Sequence, residues 1–110
     1  LNKVSLIGNL VRDAEGYQIK DGSRSVIKFT IGVNSSFIKK SGERDVDFIP
    51  VSYWTNQAEN MLPYLSKGKQ VAVTGEIRTG NYVGDDGIKK YVMEVRAGNI
   101  QFLGGSAINQ

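Results

Sequence analysis

The 110 residues contain no cysteine and no histidine, only two prolines and a single tryptophan. Without cysteine there is no disulfide framework and no thiol chemistry. That absence also fits a cytosolic protein. Without histidine there is no imidazole to serve as a general base, and with both residue types missing the usual zinc ligands are gone. No apolar run approaches the ~18 residues of a membrane-spanning helix, and the opening residues do not read as a signal peptide. The length supports one hydrophobic core and one domain.

What is present is mildly basic and rich in glycine. Fourteen Lys and Arg against eleven Asp and Glu give a net charge of +3, and there are thirteen glycines. A charge this small selects no function by itself, so the placement of the cations matters more than their number.

The dominant pattern has period two, the mark of half-buried β-strands. In "SVIKFTIGVN", Ile27, Phe29, Ile31 and Val33 share one face, opposite Lys28, Thr30 and Asn34. In "NKVSLIGNLV", Val4, Leu6 and Leu10 align with Gly8, while Ile7 and Val11 point the other way. This strand is therefore covered on both faces or changes partners midway. Val71, Val73 and Ile77 align around Gly75, and Tyr91, Met93 and Val95 align before a break at Ala97-Gly98, after which Ile100 and Phe102 resume. Gly8, Gly32 and Gly75 interrupt good strands, as glycines do at bulges and barrel corners.

Turn residues separate the strands: "KDGS" at Lys20–Ser23, "KKSGER" at Lys39–Arg44 and "GDDG" at Gly84–Gly87. One segment, "NQAENMLPYLSKG", reads as a helix. Asn56 is its expected N-cap, Glu59 the capping-box partner and Gly68 the stop. Its apolar stripe is Ala58, Met61, Leu62 and Leu65, and Pro63 should make it kink or restart. Three strands, a short helix and two strands give an all-β chain. The expected architecture is the five-stranded Greek-key OB-fold barrel, with its helix between strands three and four. The domain is expected over residues 1–104, with 105–110 a flexible tail.

The strand "DFIPVSYWTN" poses the functional question. Ile49, Val51 and Tyr53 form its core-facing set, which turns Phe48, Pro50, Ser52 and Trp54 outward. Phe48 and Trp54 are then ~20 Å apart, six residues at ~3.3 Å each. Large rings on a partly polar face need a cover. A subunit contact or the helix would supply one, and a sugar or peptide another. Unpaired bases would supply a third, because every base offers a π-face to an aromatic ring. The surroundings favour bases. Phe37 precedes Lys39 and Lys40, and Tyr82 follows Arg78. Rings for the bases and cations for the phosphates are the two parts that single-strand binding requires. The candidate phosphate contacts are Arg12, Lys28, Lys39, Lys40, Arg44, Arg78, Lys89 and Lys90.

An enzymatic reading lacks a site. Small barrel nucleases use clustered carboxylates and a metal. Here Asp45 and Asp47 alternate on one strand, and Asp85-Asp86 lie in a turn, where Asp is favoured anyway. No catalytic residue, metal or cofactor is expected. Other OB-fold modules, a primosome accessory protein or an RNA-binding barrel, share the aromatic and basic face and stand as the alternative.

Over Asn2 to Gly104 the chain resembles the bacterial single-stranded DNA-binding proteins. "NKVSLIGNLVRDAE" is similar to their amino-terminal strand motif, with Ala14 in place of its proline. "FTIGVNSSF" resembles the second strand, "DFIPVSYWTNQAENMLPYLSKGKQVAVTGEIRTGNY" the central stretch, and "VMEVRAGNIQFLGG" the closing strand. The resemblance implies sequence-tolerant binding and protection of single-stranded DNA in replication, recombination and repair, in the bacterial cytoplasm at the nucleoid. It places the family's four stacking positions on Phe37, Phe48, Trp54 and Tyr82. It implies a homotetramer with DNA wrapped around it, and a subunit interface near Asn2, Val4 and Leu6. Pro50 and Asn56 depart from residues common in the family. Members continue to an acidic tip that recruits replication and repair proteins. These residues end at Gln110 without one and start at Leu1 rather than Met, which reads as a trimmed chain or a short paralogue.

Overall fold

The computed structural model describes residues 1–18 and 24–103. The "KDGS" turn and the 105–110 tail lie outside the described residues. Six strands follow in chain order: β1 (Val4–Leu10), β2 (Glu15–Gln18), β3 (Ser25–Ile38), β4 (Arg44–Thr55), β5 (Gln70–Val83) and β6 (Lys89–Leu103). The sheet order is β1-β5-β6-β4-β3-β2, and a further β1–β3 pairing closes five of the strands into a barrel. β2 is the addition to the expected five. Among the described residues it pairs only along β3, Glu15 with Lys28 through Gln18 with Ser25. Its four residues are all exposed and do not alternate, so no periodicity announces it.

The first strand does change partners midway. Val4 to Asn9 pair with β5, whereas Asn9 and Leu10 pair with Gly32 and Ile31 of β3. Closure needs glycine at position 8, where a Cβ would lie 2.5 Å from the Gly32 carbonyl oxygen. The inward sets expected from alternation form the core: Ile27, Ile31, Val71 and Val73 are fully buried, and Leu10, Phe29, Val51 and Val95 are nearly so. The break in β6 is a register shift. Thr74 faces Asn99 while Gly75 faces Ala97, which leaves Gly98 as the extra residue of a bulge.

Two long hairpins project from the barrel. β3 and β4 end in the Lys39–Arg44 turn, where Gly42 has φ +89° and Lys39 N–H donates to the Glu43 carbonyl. β5 and β6 end in the Gly84–Gly87 turn, with Gly87 at φ +77°. Beyond the barrel wall there is no core to enter. Tyr91 and Met93 therefore share a face with Val95 yet remain exposed, whereas Val95 is buried.

The helical segment is shorter than expected and capped differently. α1 spans Ala58–Met61, and a 3-10 turn covers Leu62–Tyr64. The conversion occurs at Pro63, which lacks the N–H an α-helix would use. The N-cap is Gln57 rather than Asn56, and no side chain caps the helix. The Thr55 hydroxyl instead accepts the Gln57 N–H at 3.0 Å, so Asn56 lies in the bend ahead of the cap. The apolar stripe is as expected: Leu65 and Ala58 are buried, and Met61 and Leu62 pack against the core. Gly68 ends the segment at φ +89° and donates its N–H to Leu10 of β1. Ala14, at the proline position of the family motif, donates its N–H to the Leu65 carbonyl at 2.9 Å, a bond proline lacks.

Candidate nucleic-acid interface

The outer face is built on β4. Val51 is buried inward and Ile49 and Tyr53 pack against the core, so Phe48, Pro50, Ser52 and Trp54 point out. Register carries this face across its neighbours. In β3, Val26 lies opposite Trp54, Lys28 opposite Ser52, Thr30 opposite Pro50 and Gly32 opposite Phe48. On the other side β6 runs parallel, with Ser52 beside Arg96. From β6 the same face continues into β5, with Arg78 opposite Glu94 and Tyr82 opposite Lys90. Pro50 falls just outside the short β4–β6 pairing of Val51 and Ser52.

Register thus brings Phe48, Trp54, Tyr82, Lys28, Arg78 and Lys90 onto one continuous face. Phe37 and Arg44 lie on the β3–β4 hairpin past a register shift between Asn34 and Ile38. Lys39 and Lys40 sit at its tip. Arg12, between β1 and β2, joins Lys28 around a small cleft below Pro50. Lys89 takes the opposite side of the β5–β6 hairpin, across from Val83. Val4 and Leu6 pack against the core from β1. The Asn2 side chain pairs with the Ile77 backbone, donating to its carbonyl at 2.8 Å and accepting its N–H at 2.9 Å.

The rings differ in environment. Phe37, Phe48 and Tyr82 expose 70%, 64% and 53% of their surface, enough to offer an open π-face. Trp54 is half-buried, and the Arg96 guanidinium carbon lies 5.5 Å from its ring centroid, a cation–π distance. The serine between the aromatics is buried, and its hydroxyl donates to the Glu94 carboxylate. Two of the cations are already engaged: Lys39 pairs with Asp45 at 2.8 Å, and Lys90 with Asp86 at 3.7 Å. Both are half-exposed pairs of small net value, so a phosphate competes with them at little cost.

Tyr17 is a further ring on this face that the sequence reading missed. It lies opposite Val26, half exposed, with Lys28 Nζ 6.0 Å from its centroid. The Glu15 carboxylate, by its charge and by accepting the phenol hydrogen bond, holds the Tyr17 pKa above its ordinary value. Its signal was hidden because β2 does not alternate. Among the described residues, no group of three or more His, Cys, Asp or Glu is placed to hold a metal ion. Among them, no helix is long and apolar enough to cross a membrane.

A five-stranded barrel with one short helix, carrying rings and cations on one outer face, defines the OB-fold class of oligonucleotide-binding modules. The Single-strand binding protein family matches residues 1–103, and the chain belongs to that family. The "Single-stranded DNA-binding protein 3" of Clostridium acetobutylicum is 43% identical over 94% of this chain and 71% of the relative. The "Single-stranded DNA-binding protein" of Bacillus cereus is also 43% identical over 94% of this chain, but the match spans only 60% of that relative. Among solved structures, "Plasmodium falciparum SSB complex with ssDNA" superposes with a TM-score of 0.80. It is 22% identical and covers 94% of this chain and 95% of that one, a likeness of fold.

Proposed function

We propose that this domain binds single-stranded DNA without reading its sequence. Bases stack on Phe37, Phe48, Trp54 and Tyr82, and Arg12, Lys28, Lys39, Lys40, Arg44, Arg78, Lys89 and Lys90 take the phosphates. The observation that carries this is the continuity of the outer face: register places two rings of β4 and one of β5 on the same surface as three of the cations. The binding domain of this reading runs over residues 1–104. Protection of the strand in replication, recombination and repair, at the bacterial nucleoid, belongs to the same proposal; the names of the relatives support its binding step. The protein works by binding rather than by catalysis.

Assembly as a homotetramer is part of the same proposal, with the region of Asn2, Val4 and Leu6 at a subunit contact. β1 supports it. Among the described residues, Asn9 and Leu10 are the part of that strand that pairs with β3, so Val4 to Ile7 present an unpaired edge on that side. Open edges are templates for pairing with another chain. The test of the binding proposal is competition between labelled single-stranded DNA, single-stranded RNA and duplex. Preference for single-stranded DNA of any base composition supports it. Preference for RNA would favour the alternative OB-fold module, and cleavage of labelled DNA with Mg²⁺ would reveal a nuclease.

A further inference from the structure

Arg24 and Arg96 are absent from the phosphate contacts proposed above, yet both line a cleft at the Trp54 end of the aromatic face. With Tyr53, Trp54, Ala97 and Gly98 they line a cleft of about 570 Å³. Both charged residues of this lining are cations, and among the described residues no carboxylate lines it. Register delivers Arg96 there, beside Ser52 and two residues ahead of the Gly98 bulge. The contact between Arg96 and Trp54 is also incomplete. The Trp54 indole N–H and the Arg96 Nε–H are both shielded from solvent, and among the described residues neither has an acceptor. Buried donors are nearly always paired. Two donors cannot satisfy each other, and an anion in this cleft would supply the acceptor both lack. Two arginines beside an indole N–H select an anion with several oxygens.

We infer that Arg24, Arg96 and the Trp54 indole N–H form a phosphate subsite that holds the DNA backbone next to the base stacked on Trp54. This rests on the reading that the outer face carries single-stranded DNA. In the free protein the Arg96 guanidinium lies over the indole ring. On binding it turns from the ring to a phosphate, which pairs its N–H groups and frees that ring face for a base. A planar fork of donors suits this exchange better than an ammonium, because it stacks on a ring in one state and grips two oxygens in the other.

The experiment is a titration of Trp54 emission with oligothymidylate at several salt concentrations. It compares the parent protein with Arg24→Met, Arg96→Met, the double variant and Arg96→Lys. Methionine keeps an apolar stem in place of the arginine methylenes. Arg24 is exposed, so its substitution leaves the core untouched. The double variant should keep its quenching at saturation, bind more weakly at low salt, and show a log K against log salt slope shallower by about 0.7, the value for one phosphate on a single strand. Each single Met variant should show part of that change. Arg96→Lys should keep the slope and bind more weakly. A parent-like slope in the double variant would overturn the subsite and leave DNA binding by this face standing. No binding or quenching in the parent protein would overturn both.

Discussion

Trp54 is the only indole in the chain, so its emission reports on one position. A stacked base contacts the ring directly, and single-stranded DNA should quench that emission. Unchanged emission at a concentration where a gel shift shows binding would place the ring away from the DNA. Truncating a stacking ring removes its contact with one base. Trp54→Ala and Phe48→Ala should each weaken binding by roughly 1–3 kcal/mol and leave the salt slope nearly unchanged. The two rings need not respond alike. Phe48 is open to solvent, whereas Trp54 already contacts Arg96, and a base must compete with that cation for one ring face. Cations act through counterion release instead. Lys39→Ala combined with Lys40→Ala should flatten the slope while leaving binding at low salt. If Trp54→Ala cost nothing while the lysine changes abolished binding, charge alone would hold the strand. The aromatic face of β4 would then be better explained as a subunit contact.

At the scale of elements, the barrel depends on close approach between strands, and Gly8 is where this is tightest. A Cβ there would lie 2.5 Å from a backbone oxygen of β3, and no side-chain rotation can relieve a clash with backbone. Gly8→Ala should therefore destabilise the domain by about 1–3 kcal/mol, the usual cost of overpacking. A urea midpoint equal to that of the parent would show that β1 and β3 have room to separate. Much of this level was legible in the sequence. Alternation is legible over Ile27–Ile31 of β3 and Val71–Val73 of β5 because the inward residues there are buried, and a strand with a buried face is strongly held to one register. The outward turn of Phe48 and Trp54 followed from the apolar set Ile49, Val51 and Tyr53 on the opposite face. Other features left no such trace. β2 has no buried face, so its residues carry no pattern, and Tyr17 went unnoticed with it. The cap at Gln57 was missed because α1 is only four residues long, too short for capping-box spacing to govern its start. Arg96 was within reach: Val95 points inward, so its neighbour must point outward. Its contact with Trp54, however, depends on the parallel register of β4 and β6, which no local pattern encodes.

At the scale of the whole molecule, the binding face and the open edge divide the surface between them. Phe48, Trp54, Arg78 and Tyr82 occupy the outside of β4 and β5, while β1 contributes none of the proposed stacking rings. Among the described residues, its Val4 to Ile7 stretch pairs with β5 on one side and with no strand on the other. Its outward residue Ile7 is 56% exposed, although isoleucine gains from burial. A second copy that used this edge would cover apolar and unpaired backbone groups while leaving the aromatic faces free. Several aromatic faces held on one assembly would give a long strand a continuous path, which a single barrel of this size cannot offer. Light scattering without DNA should therefore report a mass near four times that of the chain. Ile7→Glu should shift that mass downward while leaving the Trp54 quenching by a short oligonucleotide in place, since the charge falls at the edge and not on the DNA face. A monomeric parent protein at micromolar concentration would remove wrapping as the mechanism, and each barrel would then hold its own short stretch of DNA.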